Sequence, residues 1–142
     1  MKVEHSVTIG KPVEEVFGFL TDVSNLPRWQ DGVTEAHPGG TLGVGSRFTQ
    51  VRSFLGKRIA STQEVIEHEP GRAFAFRVVD GPVPIVVRHT FEADGDSTLV
   101  RIEGSGDPGG VFKLAEGLVM RQIEKTLRKD YSALKRLLEA GS

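Results

Sequence analysis

The 142-residue chain contains no cysteine, which excludes disulfide bonds, thiol catalysis and zinc or iron–sulfur sites built on cysteine. Its net charge is only −1, so no overall field attracts nucleic acid, and we expect no nucleic-acid partner. No apolar run approaches the roughly 18 residues of a membrane span. The N-terminus carries Glu4 and His5 where a signal peptide would be apolar. These absences predict a soluble, cytoplasmic protein without an integral membrane segment.

The most prominent feature of the sequence is a long helical pattern at its C-terminal end. From Val111 to Glu139 the chain has no proline and one glycine, Gly117, which predicts a single long helix. The preceding residues alternate between apolar and polar side chains in six or seven runs separated by Gly, Pro and Asp turns, a pattern typical of antiparallel strands. Pro12 and the residues before Trp29 predict two short helices after the first strand. The length fits a single domain, 1–142.

The alternation also predicts which side chains face inward. Along the central strands Phe, Val and Ile residues share one face, while Arg77, Arg88 and Arg101 share the other, so the apolar face is the inner one. For the strand 58–68 the pattern permits either face, and we prefer the face that carries Gln63 and Val65. The polar residues on the predicted inner face are His5, Gln50, Arg52, Gln63 and His89.

One helix beside so broad a sheet predicts an internal cavity. A helix is about 10 Å wide and six strands span nearly 30 Å, so a flat sheet would remain partly uncovered. The sheet must therefore curl around the helix. Small helix residues, Ala115 and Gly117, and polar residues on the inner face favour an open interior, because buried polar groups need partners. The alternative is a plain core that side chains fill completely.

We therefore predict a site for a small hydrophobic or aromatic ligand between the sheet and the helix. The predicted ligand-binding residues are Trp29, Phe48, Gln50, Arg52, Phe54, Gln63, Phe76, Val87, His89, Ala115 and Val119. No spacing of histidines and carboxylates is typical of a metal site, so we expect no metal and no cofactor. His37 and His68 lie at predicted turns and are expected to be exposed. Asp130 follows Arg128 and Lys129 in a charged run that predicts a solvated face.

Several segments resemble a known family. VTIGKPVEEVFGFLTD at 7–22 with NLPRW at 25–29, EVIEHEPGRAFAF at 64–76 and HTFEADGDSTLVRI at 89–102 resemble the polyketide cyclase/dehydrase group of the START/Bet v 1-like (SRPBCC) superfamily. The resemblance implies an α+β helix-grip fold, in which a curved antiparallel sheet wraps around a long C-terminal helix. Members of that superfamily include aromatic polyketide cyclases, lipid carriers and quinone-binding proteins, so the resemblance implies a polyketide-, lipid- or quinone-like ligand.

Two residues are weak candidates for catalysis. His89 could polarise a ligand carbonyl or act as a general acid or base, or it could be a structural histidine bonded to a neighbour. Arg52 could bind an anionic group of a ligand, or it could face solvent or pair with Glu64. Trp29 either closes the pocket as a lid or plugs the core.

Three functions follow from these alternatives. The first is binding of a small apolar ligand, and the second is cyclisation or dehydration of a polyketide-like substrate. The third is a surface that binds another protein. The sequence leaves open the ligand, the pathway and the oligomeric state.

Overall fold

The computed structural model describes residues 2–54, 56–81, 84–106 and 116–141. The strands are β1 Lys2–Ile9, β2 Val33–Pro38, β3 Arg47–Phe54, β4 Lys57–Glu69, β5 Ala73–Asp80, β6 Ile85–Asp94 and β7 Ser97–Gly106. The helices are α1 Val13–Thr21, α2 Leu26–Trp29, which follows a 3₁₀ turn at Val23–Asn25, and α3 Glu116–Ala140. Within the described residues, no helix is long and apolar enough to cross a membrane.

The seven strands form one curved antiparallel sheet in the order β1–β7–β6–β5–β4–β3–β2. Strands β2 to β7 follow one another as neighbours, and β1 pairs with β7 through a register that runs from Lys2 with Ser105 to Ile9 with Thr98. Register shifts interrupt the β2–β3 and β4–β5 ladders, and such irregularities bend a sheet. The predicted helix-grip fold is confirmed.

Helix α1 forms where the sequence predicts a helix. Pro12 precedes it in an extended conformation, and Glu14 and Glu15 occupy its first turn, where negative charge complements the helix dipole. Its stripe of apolar side chains buries Val16 and Phe17 against the inner face of the sheet. The hydroxyl of Thr21 donates to the carbonyl of Phe17 at 2.7 Å, which closes the last turn.

Helix α3 is fixed to the sheet at its C-terminal end. Leu134 and Leu138 are buried in the main core. The Lys135 ammonium donates to the carbonyl of Thr8 at 2.6 Å, and Glu139 accepts the backbone N–H of Gly10 at 2.8 Å. At the other end Gly117 is exposed, so the expectation that it widens the interior is wrong. The predicted helical residues 111–115 lie outside the described residues.

The preferred face of β4 is correct. Gln63 and Val65 are fully buried, whereas Glu64 lies on the outer face, where Arg47 and Arg77 pair with it at 3.2 and 3.1 Å. The alternative pairing of Glu64 with Arg52 is therefore wrong. Side chains alternate across a strand, so one buried face of β4 places the other in solvent.

Strand β2 did not stand out in the sequence. It is an edge strand with a single buried residue, Val33, and its ladder with β3 contains a register shift. Its last residue is Pro38, which lacks the N–H that a central strand would need. A short strand with these features has no apolar alternation to detect.

Candidate functional site

A cavity of about 570 Å³ lies between the inner face of the sheet, the segment around α2 and α3. Every strand from β3 to β7 contributes to its wall, and so does Val3 of β1. Most of the wall is apolar, and its larger apolar members include Trp29, Phe48, Phe74, Phe76, Ile123 and Leu127. Between the curved sheet and α3, the side chains of the described residues thus leave this space unfilled.

The structure brings most of the predicted ligand-binding residues together in this wall. The residues that line the cavity as predicted are Trp29, Phe48, Gln50, Arg52, Gln63, Phe76, Val87 and His89. Ala115 and the side chains of Phe54 and Val119 lie outside the described part of the structure. That the lining residues contact a ligand remains a prediction.

Among the wall residues that sequence reasoning missed are three that take part in its polar groups: Gln30, Asp130 and Tyr131. The expectation of a solvated face at Asp130 is wrong, because its side chain is 5% exposed. Helical spacing indicates the inward position of Asp130 and Tyr131. They lie three and four residues after Leu127 and four and three before Leu134, so all four residues share one helix face. The neighbouring charged residues Arg128 and Lys129 instead favoured a solvated position for Asp130.

His89 and Tyr131 form a buried hydrogen-bonded pair. His89 is 2% exposed and Tyr131 is 3% exposed. The Nδ1 of His89 lies 3.0 Å from the carbonyl oxygen of Phe74. A carbonyl can only accept, so Nδ1 carries the proton. Nε2 then accepts the Tyr131 hydroxyl at 2.5 Å.

Burial decides the charge of this pair. It lowers the pKa of His89 to about 4, although the bond to the Phe74 carbonyl acts in the opposite direction. Burial also raises the pKa of the Tyr131 hydroxyl. Both groups are therefore neutral at pH 7, and both ring nitrogens of His89 are occupied within the protein. This geometry supports the structural interpretation of His89 over a role as acid or base.

Arg52, Gln30 and Asp130 form a second polar group on the cavity wall. The Arg52 guanidinium donates through Nη2 to Oε1 of Gln30 at 2.5 Å, and its Nη1 lies 3.8 Å from Oδ2 of Asp130. Burial lowers the pKa of Arg52. Burial raises the pKa of Asp130 to about 6, and the charge of Arg52 opposes that rise. The cavity thus holds a cation beside a carboxyl group that titrates close to neutrality.

Two further polar atoms belong to residues that line the cavity. Within the described residues, the indole N–H of Trp29 and Oε1 of Gln63 have no hydrogen-bond partner. The amide nitrogen of Gln63 donates to the Ser61 hydroxyl at 2.6 Å. Trp29 packs edge-on against Tyr131 with ring centroids 5.0 Å apart. Unpartnered buried polar atoms cost free energy unless a ligand or water satisfies them.

The other histidines differ from His89 in their surroundings. His37 is exposed beside Glu35, as expected. His68 is not exposed, contrary to expectation. Its ring packs against those of Phe17 and Phe74, with ring centroids 5.6 and 6.3 Å apart. His5 is half-buried, and burial together with the charge of Arg128 lowers its pKa. In the part of the chain that the structure describes, no three metal-ligating side chains gather at one point.

Comparison with known proteins agrees with this architecture. The sequence profile of a family described as polyketide cyclase / dehydrase and lipid transport matches residues 1–139. A search of curated proteins found no match to this chain.

Solved structures with a similar fold come from several bacteria. TTHA0849 from Thermus thermophilus superimposes with a TM-score of 0.88 at 19% identity, over 100% of this chain and 99% of that one. The Zhui aromatase/cyclase from Streptomyces sp. R1128 gives 0.83 at 18% identity, over 98% and 93% of the two chains. A START superfamily protein from Mycobacterium smegmatis gives 0.83 at 15% identity, over 99% of each chain.

At identities of 15–19% the solved structures show only a shared fold. Membership of a family is shown by the profile match. The profile spans the sheet and almost all of α3, and therefore every element that lines the cavity. The chain belongs to the polyketide cyclase/dehydrase and lipid transport family, and its helix-grip fold is similar to that of the START superfamily protein.

Proposed function

We propose that the protein binds a small hydrophobic or aromatic ligand, of polyketide-, lipid- or quinone-like character, in the cavity between the sheet and α3. The observation that supports this proposal is the cavity itself, whose volume of about 570 Å³ falls within the usual range for small-molecule sites. Its mainly apolar wall carries a few polar groups, which is the composition that binds an apolar molecule and fixes its orientation.

Neighbouring residues on β5 offer a direct test. Val78 lines the cavity, whereas Val79, at a register shift in the β4–β5 ladder, is 36% exposed. A Val78→Trp variant should fill part of the cavity and weaken binding by about tenfold or more. The matched Val79→Trp variant should bind as the unmodified chain does.

Isothermal titration calorimetry would measure binding of three neutral probes: 2-acetylnaphthalene, 1-decanol and 1,4-naphthoquinone. These represent aromatic ketones, lipids and quinones. Thermal unfolding of each variant would show that it is folded. Failure of all three probes to bind the unmodified chain, or equal weakening in the two variants, would count against the proposal.

A second candidate function is catalysis, and the observation that favours it is Asp130. A carboxyl group with a pKa of about 6 can exchange a proton at neutral pH, and Arg52 beside it can stabilise an enolate. We propose these residues, rather than His89, as the groups that would dehydrate a β-hydroxy ketone. Asp130 would remove a proton from the carbon next to the carbonyl and pass the same proton to the β-hydroxyl group, whose C–O bond breaks to release water.

The test uses 4-hydroxy-4-phenylbutan-2-one, whose dehydration to a conjugated enone is followed by ultraviolet absorbance. We expect turnover that falls by about tenfold or more in Asp130→Asn and in Arg52→Gln. The Arg77→Gln variant, altered on the outer face, should keep the rate. A rate equal to that of buffer alone would reject catalysis on this substrate class and leave ligand binding intact.

A further inference from the structure

The guanidinium of Arg52 has more hydrogen-bond donors than the protein uses. A guanidinium carries five N–H donors. Within the described residues Arg52 makes one hydrogen bond, to Gln30. Its distance of 3.8 Å from Asp130 is an ion-pair contact and too long for a hydrogen bond. This side chain lines the cavity and is 23% exposed, so its remaining donors have no acceptor among the described residues and are open to a ligand.

The carboxylate of Asp130 also accepts fewer hydrogen bonds than its oxygens allow. Among the described residues its carboxylate accepts one hydrogen bond, from the backbone N–H of Asp31 at 3.4 Å. The charges that face it are Arg52 from β3, Asp31 from the loop after α2 and the adjacent Lys129. Lys129 is paired with Asp31 at 2.7 Å. Arg52 and Asp130 thus compensate each other's charge without completing each other's hydrogen bonds.

A ligand carboxylate matches this arrangement better than Asp130 does. Two carboxylate oxygens fit the fork of a guanidinium with two parallel hydrogen bonds, the strongest form of this pairing. Lys57, which also lines the cavity, adds positive charge to the wall. A neutral ketone offers a single acceptor oxygen and no charge, so it would pair with only part of this fork.

We propose, on the basis of the proposed function, that the ligand is an apolar monocarboxylate whose carboxylate binds Arg52 in place of Asp130, and that Asp130 takes up a proton when it binds. The uptake follows because an ionised carboxylate that loses its counter-ion in a buried site becomes costly. The pKa of Asp130 is already raised to about 6, with Arg52 opposing the rise. Engagement of Arg52 by a second carboxylate therefore raises this pKa further.

Fatty acids and aromatic acids both have the required chemistry, and matched probes separate them. Decanoate is compared with 2-undecanone, and 2-naphthoate with 2-acetylnaphthalene; in each pair a methyl group replaces one carboxylate oxygen. Calorimetry at pH 7 should show that at least one carboxylate binds about tenfold or more tightly than its ketone. The pair that shows this preference identifies the class of apolar body.

Proton uptake is measured in the same experiment. Titration in phosphate and in Tris, which differ in ionisation enthalpy, should report close to one proton taken up per carboxylate bound at pH 7. Carboxylate affinity should fall by up to about tenfold per unit as pH rises from 7 to 8, while ketone affinity stays constant.

Variants separate the roles of the two residues. Arg52→Gln should abolish the preference for the carboxylate, because it should weaken carboxylate binding by about tenfold more than ketone binding. Asp130→Asn should keep the preference, take up no proton and bind the carboxylate independently of pH. Arg77→Gln, on the outer face, should match the unmodified chain.

The outcomes distinguish the two proposals. If neither ketones nor carboxylates bind, the proposed function fails. If ketones and carboxylates bind equally, ligand binding stands and the carboxylate inference is overturned. A carboxylate preference that survives Arg52→Gln, or proton uptake that survives Asp130→Asn, overturns the assignment of those residues.

Discussion

An Asp130→Asn variant is expected to lose about 3 kcal/mol of unfolding free energy between pH 7 and pH 4 through the titration of His89. The unmodified chain is expected to lose less than about 1 kcal/mol from His89 and Asp130 together over the same range. The difference arises because acid acts on these two buried groups in opposite directions.

For His89 the pKa in the folded protein is about 4, below the ordinary value of 6.5. Its contribution to stability is complete above pH 6.5 and is lost as pH falls towards 4, because the unfolded chain binds the proton first. For Asp130 the pKa in the folded protein is about 6, above the ordinary value of 3.8. Its contribution is complete below pH 3.8 and is lost as pH rises through 6. Between these limits the two effects largely cancel.

Urea unfolding, followed by the fluorescence of Trp29 at pH 4, 5, 6 and 7, would measure how the unfolding free energy depends on pH. The control is Asp96→Asn, at the exposed turn between β6 and β7, which should leave the pH profile unchanged. The double variant His89→Gln with Asp130→Asn should be less stable and should lack both of these contributions, keeping only the pH dependence of ion-paired carboxylates such as Glu64. Parallel profiles for Asp130→Asn and the unmodified chain would show that the Asp130 carboxyl keeps its ordinary pKa.

Replacing Leu134 with alanine is expected to lower the unfolding free energy by about 3 kcal/mol or more. Leu134 is 0% exposed and belongs to the main core, so its removal loses buried apolar contacts and leaves a void. Leu127→Ala should cost less, about 1–2 kcal/mol, because Leu127 is partly buried and already borders the cavity. Leu118→Ala, at a position 71% exposed, should change stability by less than about 0.5 kcal/mol.

Thermal or urea unfolding of these three variants of α3 gives the comparison. Binding of 2-acetylnaphthalene to Leu127→Ala should persist, since the change enlarges the cavity rather than filling it. Equal costs at Leu134 and Leu127 would indicate that the helix packs uniformly along its length, contrary to the described contacts.

The fold was predictable because local patterns and global architecture agree. Alternation along β5, β6 and β7 is regular, and the C-terminal helix has few interruptions, so each element was visible in the sequence. The resemblance of 7–22 and 89–102 to family segments pointed to the same arrangement. β2 was not predictable, since Val33 alone is buried in it.

The candidate site was only partly predictable. The side of a strand on which Arg52 or His89 lies follows from alternation. Their partners do not, because Tyr131 is 42 residues from His89 and Asp130 lies far along the chain from Arg52. Such pairs form only when the path of α3 over the sheet is known. Helical spacing places Asp130 on the inner face of α3, but its charged neighbours are typical of a surface, and no local pattern predicts that Arg52 lies beside it.

The unequal packing of α3 has a consequence for how such a protein can diverge. Its last turns, with Leu134 and Leu138, pack in the main core, whereas the preceding stretch, with Ile123, Thr126 and Leu127, borders the cavity. Selection can therefore exchange side chains along the first stretch and alter the shape of the recess while the fold tolerates each change. Ligand specificity can therefore change through substitutions in one stretch of the helix, because the core contacts of its last turns maintain the fold.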